Sequence, residues 1–334
     1  MLRQRSLLCK LEAPSDRIRF HSRAVSSVLN DAKLILRNEG RNSNDAKILL
    51  ANALCPAVTS SNSLFLQLDR EVSDGENTNF LSFIRRRCKG EPIAYITGTK
   101  EFWSMEFRVD SNTLIPRADS EVLVEAITNE YPKDARLGIL DIGTGSGCLL
   151  LSALSEYPRA WGLGIDVCSK ALDIARENAR HHSLEDRCDF MECDLRDISS
   201  FSREGLDESF PSAPFDVILF NPPYIPQSER FMVDEEVLIY EPHLALFPSS
   251  NDVNNDFGLN LYECLQRVVL RLLGNVHSAE RSTTFRKQIA CMEIGSQKQA
   301  EAVKALFAHL EPKLQFKKTL FDIENRHRGL LFTT

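Results

Sequence analysis

The sequence predicts a two-part α/β protein: a small N-terminal helical bundle followed by a doubly wound, mostly parallel sheet of seven strands. Three observations carry this reading. From Ala24 to Arg87 apolar residues recur at three- to four-residue intervals, the period of a helix with one buried face. From residue 138 onward short apolar runs alternate with helical segments, the pattern of a parallel sheet covered on both faces. The first of those runs ends in a glycine-rich turn that opens a helix, the local context in which a ligand approaches backbone.

In chain order, "SVLNDAKLILRNEG" places Val28, Leu29, Ala32 and Leu36 on one helical face and stops at Gly40. "SNDAKILLANALC" repeats the pattern, with Ser43 or Asn44 as N-cap. "NFLSFIRRRCKG" gives a third helix closed by Gly90. Residues 92–116 switch to short alternating runs around Gly98 and predict a β-hairpin linker. After Pro116, "RADSEVLVEAITNEY" reads as a helix. Strands follow at "LGILDIG" (138–143), "WGLGIDV" (161–167), "CDFMECD" (188–194), "FDVILF" (215–220) and "QIACMEI" (288–294). Helices "CLLLSALSEY" and "SKALDIARENARHH" lie between the first three. The last twenty residues supply two more strands, expected as an antiparallel pair at the sheet edge. Residues 199–214, 249–257 and 274–287 read as polar loops or insertions. The domain boundaries are therefore a leader at 1–23, helical domain 24–91, linker 92–116 and sheet domain 117–334.

Composition bounds the function. Across 334 residues, 43% hydrophobic and 26% charged content are those of a globular protein, and no apolar run reaches the length of a membrane span. The nine cysteines include no C-x-x-C pair and the seven histidines show no ligand spacing. Isolated buried thiols in a reducing compartment fit better than a metal site, so no metal is expected. The net charge of −7 argues against a protein that coats nucleic acid. The first thirty residues run the other way, with Arg3, Arg5, Lys10, Arg17, Arg19 and Arg23 against Glu12 and Asp16. An Arg- and Ser-containing leader of this kind has the composition of a mitochondrial transit peptide. A disordered basic tail on a cytoplasmic protein is the alternative.

Chemistry concentrates in two stretches. "LDIGTGSGCLL" (140–150) puts Gly143, Gly145 and Gly147 where no side chain blocks a ligand, with a helix N-terminus behind them. Its D-x-G-x-G-x-G spacing is neither the dinucleotide fingerprint nor a P-loop. Asp166 ends the second strand about twenty residues on, where a carboxylate can accept from two ribose hydroxyls. Asp194 ends the third strand and can meet an adenine amino group. A glycine turn alone is often only a turn, and strand-end aspartates are often caps; in this order they converge on a nucleoside pocket. The other stretch is "VILFNPPYIP" (217–226). Pro222 and Pro223 cannot donate to a sheet ladder, so they stop the strand and hold Asn221 extended. A stiffened chain on both sides of an amide is a device for presenting that amide.

Together these motifs resemble the S-adenosylmethionine-dependent methyltransferases, and more narrowly the HemK/PrmC family, which methylates a glutamine side-chain nitrogen in peptide chain release factors. The narrower resemblance rests on "GEPIAYITGTKEFWSMEFRVDSNTLIPRADSEVLVE" (90–125), "YEPHLALFP" (240–248) and "NDFGLNLYECL", and runs from about residue 25 to the end of the sequence. It implies a class I methyltransferase sheet with a substrate-recognising N-terminal domain. It also implies S-adenosylmethionine held by Gly143, Thr144, Gly145, Ser146, Gly147, Asp166, Asp194, Leu195 and Asn221. The glutamine amide would lie against Asn221, Pro222, Pro223 and Tyr224, with the Asn221 side-chain oxygen and the Pro222 carbonyl as acceptors and Tyr224 packed on the amide plane. The chain departs from the pattern at Ala118, Asp119 and Ser120, where Pro, Glu and Thr are usual. Phe220 stands where a small residue is commoner, and Leu195 where an aromatic residue can stack on adenine. Because "NPPY" is shared with amino methyltransferases of nucleic acids, an adenine-N6 enzyme acting on DNA or RNA is the rival reading. Such an enzyme needs a positive groove, and the chain beyond its leader is net acidic. A cofactor-binding protein without turnover is a third reading. The expected partner is thus a release factor, with no stable nucleic acid binding and no membrane.

Overall fold

The computed structural model describes residues 23–55, 63–197, 215–248, 258–273, 287–310 and 312–334. Residues 1–22 of the expected leader (1–23) and nearly all of the three polar insertions lie outside these, while Arg23 belongs to a strand of the first unit. The chain divides into two compact units, Met1–Thr97 and Gly98–Thr334.

The first unit is helical. Helices α1 (Val25–Asn38), α2 (Asp45–Ala53), α3 (Asp74–Cys88) and α4 (Ile93–Thr97) enclose a core that includes Val28, Leu29, Leu36, Leu49, Leu50, Phe80 and Ile84. A two-residue ladder, β1 (Arg23–Ala24) with β2 (Glu71–Val72), ties its entrance. Helix α3 starts five residues earlier than its apolar period indicates. The reason is a capping box: the Ser73 hydroxyl accepts the Glu76 N–H at 3.3 Å, and Glu76 accepts the Ser73 N–H at 2.9 Å. Asn44 does occupy the cap of α2, but its side chain makes no capping bond.

The second unit opens with a hairpin, β3 (Thr99–Phe102) and β4 (Met105–Arg108). The hairpin expected around Gly98 therefore turns at Trp103 and Ser104 instead, and the start of that segment is helix α4. Both turn residues have positive φ (53° and 56°), as a tight two-residue connection requires. Here Glu121 and Glu156 replace glycine's freedom with anchoring, accepting from the Trp103 backbone N–H and the indole Nε1–H.

Beyond the hairpin come α5 (Glu121–Glu130), β5 (Gly138–Ile142), α6 (Cys148–Glu156), β6 (Trp161–Asp166), α7 (Ser169–His181) and β7 (Cys188–Glu192). The second half holds β8 (Val217–Phe220), the short helices α8 (Glu235–Tyr240) and α9 (His243–Leu246), then α10 (Asn260–Leu272). It ends with β9 (Ile289–Glu293), α11 (Gln297–Phe307), β10 (Gln315–Phe321) and β11 (His327–Thr333).

The seven strands run β10-β11-β9-β8-β5-β6-β7, all parallel except β11. The final pair is antiparallel as expected, but β11 is interior and only β10 forms an edge. Successive residues point to opposite faces of a sheet. Ile139, Val217, Leu219, Ile289 and Cys291 accordingly meet α5, α6 and α7 on one face. Leu140, Ile142, Ile218, Phe220, Ala290 and Met292 meet α10 and α11 on the other. Covering on both faces is why these strands read as unbroken apolar runs. This is the class I methyltransferase fold: a mostly parallel, doubly wound sheet with helices on both sides.

Candidate active site

Register assembles the site. Ile142 of β5 pairs with Ile165 of β6 and with Phe220 of β8, and Phe220 pairs with Met292 of β9. The next residues, Gly143, Asp166, Asn221 and Glu293, therefore emerge side by side at one edge of the sheet. The chain runs outward from β5 to β7 on one side and restarts at β8 on the other. A ligand in such a sheet binds beyond the carboxyl ends of the strands at that reversal. A cavity of about 610 Å³ lies there, lined by residues from Ser111 to Arg267 of the second unit.

The glycine loop forms one wall. Gly143, Gly145 and Gly147 all have positive φ (73°, 54° and 81°), which few side-chain-bearing residues adopt. The Gly143 and Thr144 N–H groups donate to the Ile165 carbonyl, pinning the loop to β6. Asn178 of α7 donates to the Ser146 carbonyl at 2.9 Å. The Thr144 hydroxyl turns inward and donates to Asp141 Oδ2 at 2.7 Å. Asp141 is fully buried; burial pushes its carboxyl up to about 7, against the stabilising Thr144 bond. Gly143, Thr144, Gly145 and Ser146 line the cavity, whereas Gly147 packs behind it.

Asp166 bridges the loop to α7: Oδ2 accepts from the Gly145 N–H and Oδ1 from the Cys168 N–H, both at 2.9 Å. Burial raises its pKa against these bonds. A carboxylate oxygen has a second lone pair, so this fixed carboxylate retains acceptor capacity toward a ligand. Asp194 lines the same cavity, and its carboxylate is paired with its neighbour Arg196, whose Nε donates at 2.9 Å. Leu195 and Phe220 complete apolar walls. The Phe220 ring meets Tyr262 edge to face at 5.6 Å in the core.

Asn221, Pro222 and Pro223 line the same cavity next to the glycine loop, where a Cβ on Gly143 would lie 3.8 Å from the Asn221 carbonyl oxygen. Asn221 Nδ2 donates to the Ser120 hydroxyl at 3.3 Å, which turns Oδ1 to the other side of the amide. Tyr224, expected to cover a substrate, stands behind the turn instead. Its ring edge lies against Gly295, its hydroxyl donates to Glu293 Oε1 at 3.1 Å, and its carbonyl accepts from Gln299. Burial raises the Tyr224 pKa well above the ordinary value, so the hydroxyl stays a donor.

Three residues absent from the sequence expectation belong to this constellation. Ser120 lines the cavity beside Asn221, Glu293 lies behind that wall, and both are buried. Glu241 accepts from Arg117 at 2.6 Å and from the Ile115 N–H at 3.1 Å, joining two cavity-lining segments. The available signal was an acid inside an apolar stretch, in "QIACMEI" and in "YEPHLALFP", since a buried carboxylate needs partners. Among the described residues no cluster of His, Cys, Asp or Glu could hold a metal ion. The described cysteines are free; Cys188 and Cys291 are buried as expected, but Cys55 is exposed. No described helix is long and apolar enough to cross a membrane.

The cavity suits S-adenosylmethionine in its particulars. Its volume is that of a site for a nucleoside-sized ligand. It offers a cradle of bare glycine backbone, an oriented carboxylate at the second strand and apolar walls at the third and fourth.

Comparison with known proteins points the same way. Residues 27–98 match the PrmC N-terminal domain family and residues 133–303 a methyltransferase domain family. The release factor glutamine methyltransferase of Bradyrhizobium diazoefficiens is 39% identical over 227 residues, covering 66% of this chain and 68% of that protein. That of Coxiella burnetii is 35% identical, covering 63% and 69%. The bifunctional methyltransferase of Rickettsia conorii is 30% identical, covering 93% of this chain and 58% of its own length. The chain thus spans between 58% and 69% of the length of these relatives.

Proposed function

The chain belongs to the release factor glutamine methyltransferase family, and from that premise we propose that it methylates a glutamine side-chain nitrogen in a peptide chain release factor. The glutamine would be that of a Gly-Gly-Gln motif, and S-adenosylmethionine is the cofactor. The observation that supports this most directly is Asn221, followed by two prolines and lining one cavity together with the glycine loop beside it.

An amide nitrogen is a poor nucleophile because its lone pair is delocalised into the carbonyl. Asn221 Oδ1 and the Pro222 carbonyl accept the two amide hydrogens, orient the nitrogen and let it pyramidalise. Bound in the cavity, S-adenosylmethionine supplies an electrophilic sulfonium methyl group. As the nitrogen–methyl bond forms and the sulfonium–methyl bond breaks, the amide proton becomes acidic and leaves to water, so no strong base is needed beforehand. Positioning then carries most of the catalysis, and a well-oriented pair of reactants removes ~7–11 kcal/mol of barrier. Gly143 to Ser146, Asp166, Asp194 and Leu195 hold the cofactor, Gly147 packs behind them, and Tyr224 steadies the turn from behind. The helical first unit takes the role of gripping the release factor, and the basic leader that of a mitochondrial address.

The test is methyl transfer from labelled S-adenosylmethionine to a purified organellar release factor, beside a structured RNA and duplex DNA. Label mapping to one glutamine and lost in Asn221→Ala is the expected result. Label on nucleic acid alone would replace the substrate, and no label with bound cofactor would replace the activity. Import of the full chain into isolated mitochondria, with removal of a leader, checks the address.

A further inference from the structure

A proton-ordering chain runs from the cavity wall, at Asn221 and Ser120, to a buried acid behind it. Asn221 Nδ2 donates to Ser120, and Ser120 lies beside the carboxylate of Glu293, whose charged form it favours. The Tyr224 hydroxyl reaches the same carboxylate at Oε1. Glu293 is 2% exposed, and its Oε2 has no hydrogen-bond partner among the described residues. Both polar side chains of the Asn221–Tyr224 turn thus converge on one buried acid that does not itself line the cavity.

We propose that Glu293 is a positioning residue that sets which end of the Asn221 amide faces the substrate. The inference rests on the reaction proposed above. As a carboxylate, Glu293 can only accept, so the Ser120 hydroxyl turns its one hydrogen toward it. Ser120 must then accept from Asn221, which commits Nδ2 to Ser120 and leaves Oδ1 for the substrate's N–H. A protonated Glu293 can donate instead. The order then reverses: Ser120 donates to Asn221 Oδ1, the amide turns over, and an NH₂ group opposes the substrate amide where an acceptor is needed.

The groups around Glu293 come from the 119–120 segment, the Asn221–Tyr224 turn, β11 and α10. Burial pushes its carboxyl up to about 7, with Ser120 and Tyr224 opposing, Arg328 of β11 also opposing, and Asp119 adding to the rise. Arg328 is itself paired with Asp119 at 2.9 Å and Asp322 at 3.1 Å, so its charge is shared. Tyr262 of α10 donates to the Glu293 backbone carbonyl at 2.6 Å rather than to the carboxylate. The switch therefore falls within the range of ordinary assay conditions: acceptor order above about pH 7, reversed order below.

The experiment compares full-length wild type, Glu293→Gln and Ser120→Ala in methyl transfer to the release factor between pH 6 and 8. Misplacing a reacting group by a fraction of its reach costs on the order of 100-fold in rate, so a loss of kcat of this size is expected for Glu293→Gln. The KM for S-adenosylmethionine should stay near that of wild type. Wild-type kcat should fall toward pH 6, and both variants should lose that fall. A merely structural carboxylate predicts the opposite pattern: lowered thermal midpoint and an unchanged pH profile in what activity remains. Because ionising a buried acid of raised pKa costs stability as pH rises from about 4.5 through 7, Glu293→Gln should melt no lower than wild type at pH 8. Full kcat with an unchanged pH profile in Glu293→Gln overturns the inference while the reaction stands. Absence of turnover in wild type at every pH overturns the reaction itself.

Discussion

At the residue scale, two glycines of one loop separate fold from function. A Cβ on Gly147 would meet Leu151 at 3.2 Å and Ala175 at 3.3 Å, while one on Gly145 would meet nothing within 4 Å. Both have positive φ, which costs an alanine about 1–2 kcal/mol. Gly147→Ala should therefore lower unfolding stability by more than Gly145→Ala, since it adds crowding between α6 and α7 to the same strain. Gly145→Ala should instead raise the dissociation constant of S-adenosylmethionine, since its new methyl group would enter cavity space. Denaturant unfolding and calorimetric titration on the two variants separate the effects. The roles of the loop were legible because glycine spacing after a strand restricts what backbone can do there. Thr144 was less so: its position in the motif suggested ligand contact, but its hydroxyl serves the buried Asp141.

At the element scale, helix α3 shows how much one cap can hold. Glu76 accepts from the Ser73 N–H, from the Cys55 N–H at 2.7 Å and from Arg70 at 2.6 Å. Burial alone would raise its pKa, but these donors together hold it at about 2. The folded pKa lies below the unfolded one, so the stabilisation is complete above about pH 4.5 and fades as pH falls through 2. Its full size is about 3 kcal/mol, from the linkage of pKa to folding. Glu76→Gln should therefore unfold at lower denaturant than wild type at pH 7, with the gap closing toward pH 2. Ser73→Ala, which removes only the hydroxyl, should cost about 1 kcal/mol. The start of α3 was written in the sequence as S-x-x-E, ahead of the apolar period that marks the rest. Periodicity alone missed it because the first turn of this helix, Asp74 to Asn77, buries only the Glu76 carboxylate.

At the scale of the whole chain, the order of elements was legible and their pairing was not. Strand–helix alternation is a local pattern, whereas the interior place of β11 depends on residues 289–293 and 329–333 meeting across a helix and a hairpin. The same holds within the site. Asp166 and Asn221 were identifiable as strand-end residues, yet Glu293 joined them only through the β8–β9 register, and Ser120 only through a bond across 101 residues. Register also makes a global prediction. Every residue lining the cavity belongs to the second unit, from Ser111 to Arg267, and the polar ones arise from loops, from the end of β6 at Asp166 and from α10 at Asn260, Glu263 and Arg267. Binding that stabilises only the native state slows local opening most where the contacts form. Saturating S-adenosylmethionine should therefore slow amide hydrogen exchange in 143–147, 166–168, 193–196 and 221–224. Core amides of α1 to α3, which line the separate cluster around Leu36, Leu50 and Phe80, should exchange at an unchanged rate. Protection spread evenly over both units would mean that they open as one cooperative body, and that the cofactor reports on the helices of the first unit as well as on its own cavity.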